Sequence, residues 1–285
     1  VERQPSADEA AWAQDVLVEV AAVACDVELL FGPRAAQRVL AWYHEFSNEH
    51  HPASLAHFFM AYRALQHCIA PDVSRDDVGE LVASARQHLE QARPRLVLVG
   101  GGPGTGKSTL ADAVAEVVGW PVLTSHEIRA ELSADGAWES GDSADAHRPD
   151  RTDAVYKHLL ERAGQLLHQG EAVIADASWS YERHRAAARD TARAASATLV
   201  EIECTLDAAI ARERLAWEQA SPWDGAADTP ELVDVIAAQH DTWEGATIID
   251  TAMPLLRCRA DALKAILGFP PVAQPEIRTS SSPGG

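Results

Sequence analysis

Apolar positions along this chain keep two different periods, and the change falls near Pro94. Before it, Val16, Val20, Val23 and Val27 recur three or four residues apart, as do Leu40, Tyr43 and Phe46, then Leu55, Phe58, Tyr62 and Leu65. Such spacing lines one face of an α-helix. Breaks at Gly32-Pro33, His51-Pro52 and Pro71-Asp72 divide residues 8–92 into about four helices with no strand. Ser54 and Ser74 stand where helix N-caps are wanted, since a hydroxyl there accepts from the first unpaired amides. The aromatic stripe of Tyr43, Phe46, Phe58, Phe59 and Tyr62 is expected in the core of this segment.

Beyond Pro94 come short, continuously apolar runs at 96–99 (LVLV), 121–124 (PVLT), 172–175 (AVIA), 198–202 (TLVEI) and 247–250 (TIID). Helical patterns at 107–118, 126–133, 152–169, 181–196, 207–218, 230–241 and 260–267 alternate with or follow them. A run without polar alternation suits a strand buried on both faces. Strands that alternate with helices need right-handed crossovers, and so a parallel sheet. The expected organisation is an all-α segment over 1–92, an α/β domain over 93–268 and a tail over 269–285 with the composition of disorder. Residues 134–150 and 219–229 are aperiodic and read as loops.

Charge narrows the partners. The net charge is −19 with no basic block to offset it, which repels duplex nucleic acid and anionic membranes alike. Cys25, Cys68, Cys204 and Cys258 show no C-x-x-C pairing and read as reduced thiols of a cytoplasmic protein. The polar, acidic start VERQPSADEA is no signal peptide, and the apolar run at 16–24 is too short to span a bilayer and is broken by Glu19. His44, His50, His51, His57 and His67 lack carboxylates or cysteines at ligand spacing, so they read as surface or capping groups. No specific protein partner is legible.

The strongest chemistry lies in LVGGGPGTGKSTL, residues 98–110. Gly101-x4-Gly106-Lys107-Ser108 is a complete Walker A pattern, following an apolar strand and opening a helix. In the loop Gly101, Gly102, Pro103, Gly104, Thr105 and Gly106, the glycines let the backbone wrap a phosphate with N–H groups inward, and the helix start adds a positive dipole end, with Thr109 in its first turn. Lys107 is expected to reach the β- and γ-phosphates of ATP, and Ser108 to ligate Mg²⁺. Asp176 closes the run AVIAD, and an acid at the carboxyl end of such a strand can hold Mg²⁺, directly or through water; a turn or helix-capping aspartate is the competing reading.

With these residues in view, GGGPGTGKSTLADAVAE, TSHEIRAEL, TDAVYKHLL and AVIADASW…RHRAAAR resemble the small-substrate P-loop kinases, a group that includes polynucleotide kinase, zeta toxins, chloramphenicol phosphotransferase and bacterial AAA-type kinase modules. The resemblance covers roughly 95–268. It implies a P-loop NTPase five-stranded parallel sheet of order 2-3-1-4-5, ATP as donor and a hydroxyl as acceptor. The group carries Asp-x-x-Arg after its second strand. Here Arg129 matches, as a ligand of substrate or phosphate, but His126 stands at the base position. Three readings stay open: an imidazole doing the base's work, an acceptor site that has decayed and left nucleotide binding alone, or an unrelated role for His126. The resemblance also implies lid arginines in helix 207–218. Arg212 and Arg214 are present, but Trp217 and Glu218 stand where another is common. Arg183 and Arg185 follow Asp176 and could face the site or make surface ion pairs.

Residues 11–69, with DVLVEVAAVACDVELLF at their start, resemble the C-terminal end of an aminoglycoside-phosphotransferase-like domain, as a truncated remnant without its catalytic loop. The expected function is an ATP-dependent phosphotransferase acting on a small hydroxylated molecule. The alternative is a nucleotide-binding regulatory or interaction protein with negligible transfer.

Overall fold

The computed structural model describes residues 15–47, 51–70, 74–134, 148–220, 233 and 240–268. The chain divides into two compact units. One gathers Val1–Leu96 with Pro149–Val173 and Ala186–Leu199; the other gathers Val97–Arg148, Ile174–Arg185 and Val200–Gly285.

The first unit opens with α1 (Val16–Phe31), whose N-cap Asp15 accepts from the Leu17 amide at 2.9 Å and which stops at Gly32, φ 86°. There follow α2 (Pro33–Ser47), α3 (Ala53–Cys68) and α4 (Arg75–Gln91). Ser74 caps α4 in a reciprocal box with Asp77. Ser54 caps nothing: Pro52 occupies the cap position of α3, and the Ser54 hydroxyl donates instead to the Gly170 carbonyl at 2.6 Å.

The core of these helices is made of small side chains, Ala21, Ala24, Cys25, Ala36, Ala61, Ala64 and Ala85 around Met60. Helices that meet through alanines leave no room for rings in the seam, and the aromatic stripe is accordingly not core. Phe46 is 79% exposed, and Phe58 and Tyr62 are about half exposed, while Phe59 packs partly against the cluster.

Five strands form one parallel sheet in the order β2-β3-β1-β4-β5: β1 (Arg95–Gly100), β2 (Val122–Thr124), β3 (Val173–Asp176), β4 (Thr198–Thr205) and β5 (Thr247–Asp250). Among the described residues six helices accompany it: α5 (Lys107–Val118), α6 (Ser125–Ala134), α7 (Pro149–His168), α8 (Glu182–Ala194), α9 (Ala208–Ala220) and α10 (Leu255–Leu267). Val97, Val99, Ile174, Ile202 and Ile249 of the strands pack with Leu110, Ala111 and Val114 of α5 and with Ala262, Leu263 and Ile266 of α10. Leu96 to Val99 are fully buried, as a strand covered on both faces must be. Pro254 sets the start of α10, five residues before the sequence pattern suggests. The tail 269–285, most of the loops 134–150 and 219–229, and all of the helix expected at 230–241 except Val233, His240 and Asp241 lie outside the described residues; Val233 is helical and the other two are not. Among the described residues no helix is long and apolar enough to cross a membrane.

Candidate nucleotide site

The chain leaves β1 at Gly100 and turns through residues 101–106 into α5. Gly101 sits at φ 142°, and a Cβ added there would lie 2.5 Å from the Cys204 carbonyl oxygen. Gly104, at φ 72°, would meet the Ala211 carbonyl oxygen at 2.5 Å. Both positions therefore demand glycine, for conformation and for space. Thr105 Oγ1 donates to the Gly102 carbonyl at 2.8 Å and ties the loop across itself. Thr251 Oγ1 reaches the Thr105 carbonyl at 2.6 Å and ties the same loop to the end of β5.

Gly106 is the N-cap of α5 in the left-handed conformation, and no side chain caps the helix. The amides of the first turn are thus left for an anion, at the positive end of the helix dipole. Ser108 and Thr109 in that turn are exposed, and Lys107 is half-buried. Asp176 ends β3 and is buried.

The buried thiol of Cys204 senses both charged residues. Burial pushes its pKa up to about 12, while Lys107 pulls it down and Asp176 pushes it further up. The lysine and the carboxylate thus bear on one point beneath the glycine loop. A serine hydroxyl and a carboxylate are hard oxygen donors, and Mg²⁺ binds through one or two such groups together with waters and phosphate oxygens. Ser108 and Asp176 fit that donor set. Among the described residues no three His, Cys, Asp or Glu side chains gather to hold a metal ion.

The second strand meets Asp176 in register, with Thr124 paired to it. Thr124 Oγ1 accepts from the Glu127 amide at 3.1 Å, so α6 begins where β2 ends. That places His126 in the first turn of α6 and Arg129 one turn on. His126 is exposed, and Arg129 is half-buried. Of the lid arginines, Arg214 donates to the Thr251 carbonyl at 3.0 Å, with its other terminal nitrogen 3.4 Å from where a Gly106 Cβ would stand. Arg212 is half-buried on the same helix, and Trp217 is 74% exposed.

The two arginines after Asp176 part company. The Arg183 guanidinium stacks 4.2 Å over the Tyr181 ring, and Arg185 is wholly buried among backbone carbonyls. The sequence reading missed Arg185 as a buried group, along with Thr251 and Trp179, because their partners are mostly main-chain atoms that carry no sequence pattern; it also missed Trp243, which lies against Gly100.

A parallel sheet of this order, with a glycine loop opening into a helix beside its central strand, is the P-loop kinase fold. The chain belongs to the AAA domain family, whose model matches residues 96–242. It is 34% identical over 256 residues to the uncharacterized proteins Rv2004c of Mycobacterium tuberculosis and Mb2027c of Mycobacterium bovis, each match taking in 84% of this chain and 50% of the relative. The chain thus spans about half the length of the curated relatives it matches. Among solved structures, a protein of Chloroflexus aurantiacus provisionally described as a kinase superposes with a TM-score of 0.50 at 18% identity, over 62% of this chain and 97% of that one. A gluconokinase of Sinorhizobium meliloti gives 0.45 at 18% identity, over 62% and 93%. At such identities the likeness speaks to fold alone. The family match begins at residue 96, so it lends no support to the aminoglycoside-phosphotransferase likeness of residues 11–69.

Proposed function

We propose that the chain is a cytoplasmic, ATP-dependent phosphotransferase that moves the γ-phosphoryl group to a hydroxyl of a small molecule. The supporting observation is the uncapped N-terminus of α5 facing a loop from which Gly101 and Gly104 exclude any side chain. Phosphoryl transfer asks a protein mostly for positioning and charge stabilisation, and that is what these residues offer. The amides of Gly102, Gly104 and Gly106 and of the first turn of α5 hold the phosphate chain, and Lys107 bridges its outer groups. Ser108 and Asp176 would hold Mg²⁺, which would neutralise phosphate charge. An imidazole nitrogen of His126 accepts the proton of the acceptor hydroxyl. Arg129, Arg212 and Arg214 offset the charge that builds on the transferred group.

One observation favours a second reading, nucleotide binding without transfer. His126 is exposed, with no hydrogen-bond partner among the described residues to orient it as a base.

A thermal-shift series with Mg-ATP and a coupled ADP-release assay across sugars, nucleosides and aminoglycosides separates the two. Both readings expect ATP to raise the melting temperature and Lys107→Ala to abolish the rise. Only the transferase reading expects a second, acceptor-dependent shift, and turnover that drops about 100-fold or more in His126→Ala. If ATP shifts nothing in the wild type, both readings fall.

A further inference from the structure

Arg185, in the first turn of α8, has no exposure to solvent and uses every N–H it carries. Its Nε donates to Glu182 Oε2 at 3.0 Å. Nη1 donates to the carbonyls of Trp179 at 2.7 Å and Ser180 at 3.3 Å, and Nη2 to those of Asp241 at 3.3 Å and Thr242 at 2.8 Å. The guanidinium carbon lies over the Trp243 ring, 5.2 Å from its centroid. Two backbone amides add to the same junction: Glu182 N donates to Asp241 Oδ2 and Asp241 N to the Ser180 carbonyl, each at 2.8 Å.

A fully buried guanidinium whose only carboxylate partner among the described residues is half exposed is costly to desolvate. Plain packing gives no reason to keep one there. What the planar fork does, and an apolar side chain could not, is tie two segments far apart in sequence. One is the turn 177–181, which leaves β3 directly after Asp176. The other is 240–243, which leads into β5.

Two further features show what that tie holds in place. Trp179 sits at φ 52°, a left-handed backbone that bulky residues rarely adopt and that persists only where its surroundings enforce it. Its carbonyl is the closest acceptor of Arg185, and its indole N–H donates to the Ala175 carbonyl at 3.1 Å. Trp243 is pressed on Gly100, the residue before the glycine loop: a Cβ there would lie 2.3 Å from the indole ring.

We infer that Arg185 is a positioning residue: it holds the strained turn after Asp176 and seats Trp243 on Gly100, so setting where the Asp176 carboxylate stands relative to the phosphate loop. The inference rests on the nucleotide site proposed above, but its first test does not. In the full chain, Arg185→Gln is expected to raise amide exchange in both 177–181 and 240–243 by about tenfold while 107–118 stays as protected as in the wild type. The second test titrates Mg²⁺ against the ATP-dependent rise in melting temperature. Arg185→Lys keeps the charge but loses the fork. It is expected to raise the Mg²⁺ concentration at half effect about tenfold, as loss of a group supporting a metal ligand does, and to leave any rise with ATP and EDTA unaltered. A purely structural role would lower every melting temperature and leave the Mg²⁺ midpoint where it was. The inference is overturned if exchange rises in one segment alone or in neither, or if the midpoint does not move. Should Arg185→Gln not fold, exchange is read on Arg185→Lys with the same two outcomes. If the wild type ignores ATP, the nucleotide reading has failed and exchange alone decides the clamp.

Discussion

A methyl group placed on Gly101 or Gly104 would arrive 2.5 Å from a backbone carbonyl oxygen, and on a backbone that L-residues avoid. On Gly102, between them, it would meet only a Thr105 methyl at 3.8 Å. The three glycines look alike in the sequence, and the Walker A spacing marks Gly101 and Gly106 without ranking Gly102 and Gly104. Their neighbours do. Gly101→Ala and Gly104→Ala are expected to cost roughly 2–4 kcal/mol in urea unfolding and to remove the ATP-dependent thermal shift. Gly102→Ala should stay within about 1 kcal/mol of the wild type and keep the shift. Equal losses at all three positions would show that the loop does not adopt this path. The same logic explains Arg185. Its residue type and position left a group facing the site or a surface ion pair open, but most of its partners are carbonyls of residues 179, 180, 241 and 242, and any side chains could have stood there.

At the scale of elements, the strands were the easiest to read. β1 and β3 are short apolar runs, and their burial on both faces leaves no polar alternation to confuse the pattern. Helix ends were harder. Leu255 and Leu256 open α10 but are 45% and 71% exposed, so the apolar period looked broken there and the first turn went unseen. The two serines offered as caps divide on local geometry. Ser74 has Asp77 three residues on to complete a box, and Ser54 follows a proline that takes the cap position itself. Ser74→Ala is therefore expected to lower stability by about 1 kcal/mol and to raise exchange at the start of α4. Asp77→Asn should recover part of what Asp77→Ala loses, since the amide can still accept from the Ser74 backbone. Were Ser74→Ala silent in both measurements, the box would carry no energetic weight.

Across the whole molecule, the acidic surface says which partners to discount, and the alanine-lined helices, with Phe46, Leu30 and Ile69 mostly exposed, show that apolar periodicity alone does not decide what is inside. Acid stability turns on a pair that no pattern in the sequence announces, because it joins residues 31 positions apart. The Nδ1 atoms of His57 and His88 stand 3.1 Å apart, the rings nearly stacked, with His88 Nε2 3.4 Å from Glu28. Only one of the two facing nitrogens can carry a proton without setting donor against donor. Burial pulls the pKa of His57 down to about 4, with His88 and Arg95 acting in the same direction and Glu28 opposing them. A histidine in the unfolded chain titrates near its ordinary value of 6.5. Between those two values the unfolded state binds the extra proton and the folded state does not. Stability from this group is thus complete above about pH 6.5 and is lost as the pH falls toward 4, by up to about 3 kcal/mol. Carboxylates titrate over the lower part of the same range, so the comparison must be between variants. Urea midpoints followed by circular dichroism from pH 7 to 4 should fall more steeply for the wild type than for His57→Phe, which has no proton to take up. Parallel curves would mean that His57 is solvated in the folded chain and that the neutral pair does not exist in solution.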